Sequence, residues 1–145
     1  MVFAVYDKEE MKKYFIEFIG TFFLVLIIAL TGNPLAIGLG LAALVYMGAY
    51  ISGAQYNPAV TLAILLTKKI DAATAIRYVL IQFFAAIVAS AVYFFISGTK
   101  FIPQPGAEVS FGVALLLEVL FTFILASVVL HTAATDKTKG NDYYG

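Results

Sequence analysis

Four long apolar runs dominate the chain and constrain it more than any other feature. They cover Tyr14 to Thr31, Leu35 to Ile51, Ala72 to Ile96 and Val109 to His131. The first is broken only by Glu17 and the third carries only Arg77. Runs of about 17 to 25 apolar residues are long enough to cross a hydrocarbon core roughly 30 Å thick. Inside that core the backbone must satisfy its own hydrogen bonds, so each run reads as a spanning helix. The first run is too long for the apolar part of a signal peptide, and it contains a glutamate.

Composition agrees. Of 145 residues, 62% are hydrophobic and 12% charged, with a mean hydropathy of +0.95. Soluble domains lie nearer 45–50% apolar. The formal net charge is zero, and nothing points to a nucleic-acid partner. The chain has no cysteine, which excludes disulfides and thiolate metal sites, and its single histidine, His131, argues against a histidine metal site. No nucleophile–base pair, phosphate loop or metal cluster appears, so no enzyme chemistry and no cofactor are expected.

Charge sets an orientation. With four spans, Lys8, Lys12, Lys13, Lys68, Lys69, Arg77, Lys137 and Lys139 fall on one side and Lys100 alone on the other. The positive-inside rule then puts both ends of the chain in the cytoplasm.

One stretch does not fit simple spans. Ser52-Gly53-Ala54-Gln55-Tyr56-Asn57-Pro58-Ala59 sets an Asn-Pro pair in apolar sequence, followed by a short apolar segment to Leu66 and then Lys68-Lys69. Asn is a good N-cap and Pro a good first helical residue. A helix over Pro58–Leu66 at 1.5 Å per residue is about 14 Å long, half the core. The charge count returns Lys68 and Lys69 to the side from which the segment came, so it is predicted to be re-entrant. The plainer alternative is a loop followed by an ordinary helix start. A half-helix N-terminus presents free N–H groups and a positive dipole end at membrane depth, an arrangement used for solute sites in channels and transporters.

Ser52-Gly53-Ala54-x-x-Asn57-Pro58-Ala59-Val60-Thr61 resembles the first signature of the aquaporin and aquaglyceroporin (major intrinsic protein) channels. Glu17-Phe18-Ile19-Gly20-Thr21-Phe22 is similar to that family's first helix, and Tyr78-x-x-x-Gln82 with Ala86–Ala89 to its third. Glu118-x-x-x-Thr122-Phe123 and Ala134-Thr135-Asp136 are similar to its fourth helix and following loop. The resemblance implies an all-α polytopic membrane protein: an aquaporin-like right-handed helical bundle of four spanning helices and one re-entrant half-helix, an incomplete inverted repeat. Glu, Thr, Phe and Leu at 17, 21, 22 and 24 recur at 118, 122, 123 and 125, and an odd number of spans between the copies makes them run oppositely. The expected organisation is a partial channel domain over 1–145, with a first repeat near 14–97 and the start of a second near 109–134. The family's second Asn-Pro-Ala signature, with its following Arg, is not in this sequence. The expectation is therefore the N-terminal portion of a longer channel, with a genuine single-repeat protein as the alternative.

By resemblance, Asn57, Pro58 and Ala59 lie at the pore midplane, and Ile37 takes a filter position often filled by Phe in water-selective members. Glu17 and Glu118 are carboxyls within spans, which need partners. The resemblance makes them braces for re-entrant loops, and with Gln55 and Gln82 they form the loop-bracing set. Gln55 stands where the family usually has His and cannot titrate. Ala85 stands where Gly is frequent. The implied activity is passive passage of water or small neutral solutes across the lipid bilayer, by a homo-oligomer that the resemblance makes a tetramer. Two other classes compete: a small proton-coupled exporter using Glu17, and a non-conducting membrane scaffold. Gly20, Gly38, Gly40, Ala43 and Gly48 read as close-packing positions, Tyr6, Tyr14 and Tyr93 as interface aromatics, and His131 as a helix-end residue.

Overall fold

The computed structural model describes residues 8–138 and Gly140; Tyr6 and Lys139 lie outside them. Five α-helices follow one another: α1 (Lys8–Thr31), α2 (Pro34–Ser52), α3 (Pro58–Leu66), α4 (Ala72–Ser97) and α5 (Phe111–Thr132), then a 3-10 turn at Asp136–Thr138. Helices α1, α2, α4 and α5 are long and apolar enough to cross a membrane. The chain is a multi-pass all-helical membrane protein, as its apolar runs require.

Local chemistry sets the boundaries. Asn33 Oδ1 accepts from the N–H groups of Leu35 and Ala36, with Pro34 in the first turn of α2. Gly53 (φ 87°) and Gly98 (φ 71°) end α2 and α4 in the left-handed region, where glycine has no Cβ to clash. Asp71 Oδ1 accepts from the Thr74 N–H at the start of α4. Helix α1 is already formed at Lys8, ahead of its apolar run. Glu9–Lys12 and Glu10–Lys13 ion pairs one turn apart, at 2.6 and 2.7 Å, carry the helix through the polar residues. Acidic residues in a first turn also suit the helix dipole.

Helices α1 and α4 lie side by side and run the same way: Tyr14 meets Tyr78 edge to face at 5.9 Å, Glu17 meets Gln82 and Phe18 meets Phe84. Their buried positions, Tyr14, Glu17 and Thr21 against Ala75, Tyr78, Gln82, Ala85 and Ala89, step by threes and fours, the spacing of a helix–helix seam. Ala85 and Ala89 are fully buried, so the helices close tightly at the expected glycine position. Helix α2 packs antiparallel on α1, where Gly40 faces Ile27 and Gly48 faces Ile16. Gly38 faces open space and is not a packing glycine here. Helix α5 touches mainly α3 and has no buried residue.

Tyr14 is 6% exposed, not a membrane-surface aromatic. Its hydroxyl donates to Glu10 and accepts from Arg77 Nη1, both at 3.0 Å.

Candidate functional site

The half-helix α3 starts as the sequence predicts. Asn57 is its N-cap, with Oδ1 accepting from the Ala59 N–H at 2.7 Å, and Pro58 fills the first position. Thr61 donates its hydroxyl to the Asn57 carbonyl at 3.1 Å. At the other end Lys68 takes φ 58°, closing α3 with N–H bonds from Lys68 to Leu65 and Lys69 to Ile64.

The link from α2 to α3 is tightly bent. Ala54 and Tyr56 have φ 47° and 50°. A left-handed backbone costs a residue with a Cβ about 1–2 kcal/mol, so the bend needs external anchors. Glu17 supplies the main one. Its Oε1 accepts from the Ser52 hydroxyl (2.7 Å) and the Gln55 N–H (2.9 Å). Its Oε2 accepts from the Tyr56 N–H (2.8 Å) and from Gln82 Nε2 (3.0 Å). Every partner is a donor, and Glu17 is completely buried. Four hydrogen bonds saturate a carboxylate that pairs with no cation among the described residues. Gln82 Nε2 also donates to Thr61 at 3.0 Å, tying α3 to α4. The Tyr78 hydroxyl donates to the Ser52 carbonyl at 3.0 Å, and the Tyr56 hydroxyl to the Leu44 carbonyl at 3.1 Å.

Asn57 opens onto a cavity of about 220 Å³ between α1, α2, α3 and α5, with Leu24, Leu41, Val45, Val60 and Val128 among its walls. The wall is apolar except near Asn57, Gln55 and Thr132. Asn57 is half-buried, and its Oδ1 is committed to the cap. Its amide nitrogen makes no hydrogen bond among the described residues and is left as a donor to whatever enters. Toward the lysine-rich end lies a wider recess of about 490 Å³, lined by Ser52, Gln55, Lys69, Thr132 and Asp136. Gln55 and Thr132 border both spaces. An apolar cavity with few convergent polar groups is the usual form of a small-molecule site.

The remaining candidates divide. Gln82 and Glu17 meet at the loop, and Gln55 joins them through its backbone. Ala59 faces another way, toward α5, with Leu62, Glu118 and Thr122 around a recess of about 410 Å³. Glu118 is exposed and makes no hydrogen bond among the described residues. Among the described residues no loop reaches it, since α5 packs mainly on α3. Ile37 is half-buried in the first turns of α2 and does not line the Asn57 cavity. His131 Nδ1 lies 2.7 Å from the Ser127 carbonyl in the last turn of α5. Sequence reasoning gave no side-chain role to Tyr56 or Thr61, whose side chains reach Leu44 on α2 and Gln82 on α4.

The profile described as Major intrinsic protein matches residues 4–143. The chain is 39% identical over 145 residues to Glycerol uptake facilitator protein-like 6 of Lactiplantibacillus plantarum, covering 87% of this chain and 65% of that protein. It is 39% identical over 99 residues to Probable aquaporin TIP-type of Medicago truncatula, covering 67% of this chain and 39% of that protein. It is 39% identical over 115 residues to Aquaporin-1 of Bos taurus, covering 72% of this chain and 40% of that protein. The chain thus spans less than two thirds of each relative's length.

Proposed function

The chain belongs to the major intrinsic protein family, and on that premise we propose that it takes part in passive conduction of water or small uncharged solutes, with Asn57 as the residue that handles them. The observation that carries this reading is the half-helix whose capping amide keeps its N–H donors for the cavity. A water or hydroxyl oxygen reaching Asn57 accepts from that amide. The positive end of α3 draws the oxygens of waters on either side of the site toward itself, so dipoles on the two sides point oppositely. A file of water held so cannot keep one hydrogen-bond direction through the site, which hinders proton passage. The orientation that accompanies this reading places both ends of the chain in the cytoplasm, on the side of Lys12, Lys13, Lys68 and Lys69. The name of the Lactiplantibacillus plantarum relative makes glycerol the first solute to try beside water.

The test is osmotic shrinkage of proteoliposomes. Asn57→Asp keeps a capping oxygen and removes the amide donor. Losing one hydrogen bond to the passing solute is worth about tenfold at most, so water flux through Asn57→Asp should fall by up to about that factor while α3 still forms. Wild-type vesicles that shrink no faster than empty ones would defeat the channel reading. Glu17 weighs against a proton-coupled exporter, because it is wholly buried and all four of its contacts come from donors that hold the loop. Solute movement that requires a pH gradient would reverse that judgement.

A further inference from the structure

Tyr56 is the least explained residue of the loop. It is 2% exposed, holds a left-handed backbone, and directly precedes Asn57. Its ring fills a slot that exists only because two positions lack a Cβ. A Cβ at Gly20 on α1 would run into the ring carbons of Tyr56, and one at Gly48 on α2 would run into its hydroxyl and also into the Cγ2 of Ile16. At Gly40, by contrast, an added Cβ would collide only with the terminal Cδ1 of Ile27. The Tyr56 N–H is held by Glu17 and its hydroxyl by the Leu44 carbonyl, so the residue is fixed at backbone and tip at once. Leu24, Leu41 and Val45 pack against the cluster of Leu44, Ala54 and Tyr56, and they also line the Asn57 cavity. Tyr56 therefore lies behind the cavity wall while the next residue, Asn57, carries the polar group that faces the cavity.

We infer that Tyr56 is a positioning residue, a wedge seated in the Gly20–Gly48 slot that sets both where Asn57 projects and how wide the cavity stands beside it. The role rests on the channel reading above. Interior packing makes such a link stiff: a ring clamped between two helices cannot shift without moving the backbone on either side. Selectivity between a thin solute and a wider one should then depend on a side chain that no solute touches.

The test uses the full chain in proteoliposomes and in micelles, with two readouts. Backbone amide exchange at Gln55, Tyr56 and Ala59 reports how firmly the loop and cap are held. The ratio of glycerol to water permeability reports the geometry of the site independently of how much protein is folded. Tyr56→Phe removes one buried hydrogen bond, and exchange at Ala59 should quicken about three- to tenfold, with a change in the permeability ratio of at least about twofold. Gly48→Ala should quicken exchange further. Gly48→Ala combined with Tyr56→Phe should exchange more slowly than Gly48→Ala alone, because the nearest collision, with the hydroxyl, is gone and only the Ile16 contact remains. Two results would overturn the assignment: both permeabilities falling together at a constant ratio, or a double variant no better than Gly48→Ala. Failure of the wild type to conduct would defeat the channel reading instead, and exchange at Ala59 unmoved by Tyr56→Phe would then defeat this one separately.

Discussion

A single carboxylate does most of the work of shaping the loop, and its chemistry is specific. Glu17→Gln keeps the size but turns one acceptor oxygen into an amide that faces donors. At least one buried N–H or hydroxyl among Ser52, Gln55, Tyr56 and Gln82 then loses its partner, at about 1–3 kcal/mol per group. Thermal unfolding in micelles should register a loss of about 2–4 kcal/mol, and an unchanged midpoint would contradict the geometry. Asp71 gives a pH signature. Hydrogen bonds from the Thr74 N–H and hydroxyl hold its carboxyl below the ordinary aspartate range. Its folded value lies below its unfolded one, so the stabilisation is complete above about pH 4. It disappears as pH falls through the lower folded value. Asp71→Asn keeps a capping oxygen, so its stability relative to wild type should rise on acidification below about pH 4, measured by unfolding at matched pH. Residue by residue, the site was partly legible in the sequence. Asn57 and Pro58 announce a helix start by their own chemistry, and Glu17 announces a need for partners. Tyr56 announces nothing, because what makes it matter is the absence of a Cβ at Gly20 and Gly48, on two other helices. Tyr14 misleads for a related reason: its position near a span end reads as interfacial, while Arg77 and Tyr78, which draw it inward, belong to α4.

At the scale of elements, the α1–α4 seam is the best-filled part of the molecule. Ala85 and Ala89 have no exposed surface, and an added isopropyl group has nowhere to go. Ala85→Leu should cost about 1–3 kcal/mol by overpacking. Phe95→Leu, at a side chain 90% exposed on the same helix, should change stability by less than about 0.5 kcal/mol. Equal effects of the two substitutions on micelle unfolding would mean that the seam is not where it is described. Element boundaries were legible where a single residue type enforces them. Asn57-Pro58 begins α3, and Gly53 and Gly98 close α2 and α4. The start of α1 was not, because side-chain pairs one turn apart extend the helix through residues whose polarity alone reads as a tail. The brace expected of Glu118 depends on backbone from beyond its own helix, which a run of apolar residues cannot reveal.

For the whole molecule, the order and number of spans follow from run length and hydrogen-bond necessity, and the packing agrees. Which side each end occupies follows only from charge, and the absence of cysteine makes that testable without background. Lys100→Cys and Lys69→Cys, placed singly, should react from opposite sides of a sealed cell or vesicle with a thiol reagent that cannot cross the bilayer. Lys69→Cys should be protected from outside. Both labelled from one face would refute the orientation and the re-entrant path of α3 together. The charge count supplies that expectation; the neighbours of α5 are not legible, since a helix apolar on every face gives no preferred direction of contact.

The loop before α3 also carries a history. Glu17 is made before Gln55 and Tyr56, but Tyr78 and Gln82, which clamp Ser52 and Thr61, are made after them. The bend is therefore translated ahead of two of its own fasteners, and its strained residues cannot lock until α4 has been inserted beside α1. The half-helix is an early part of the chain and a late part of its assembly.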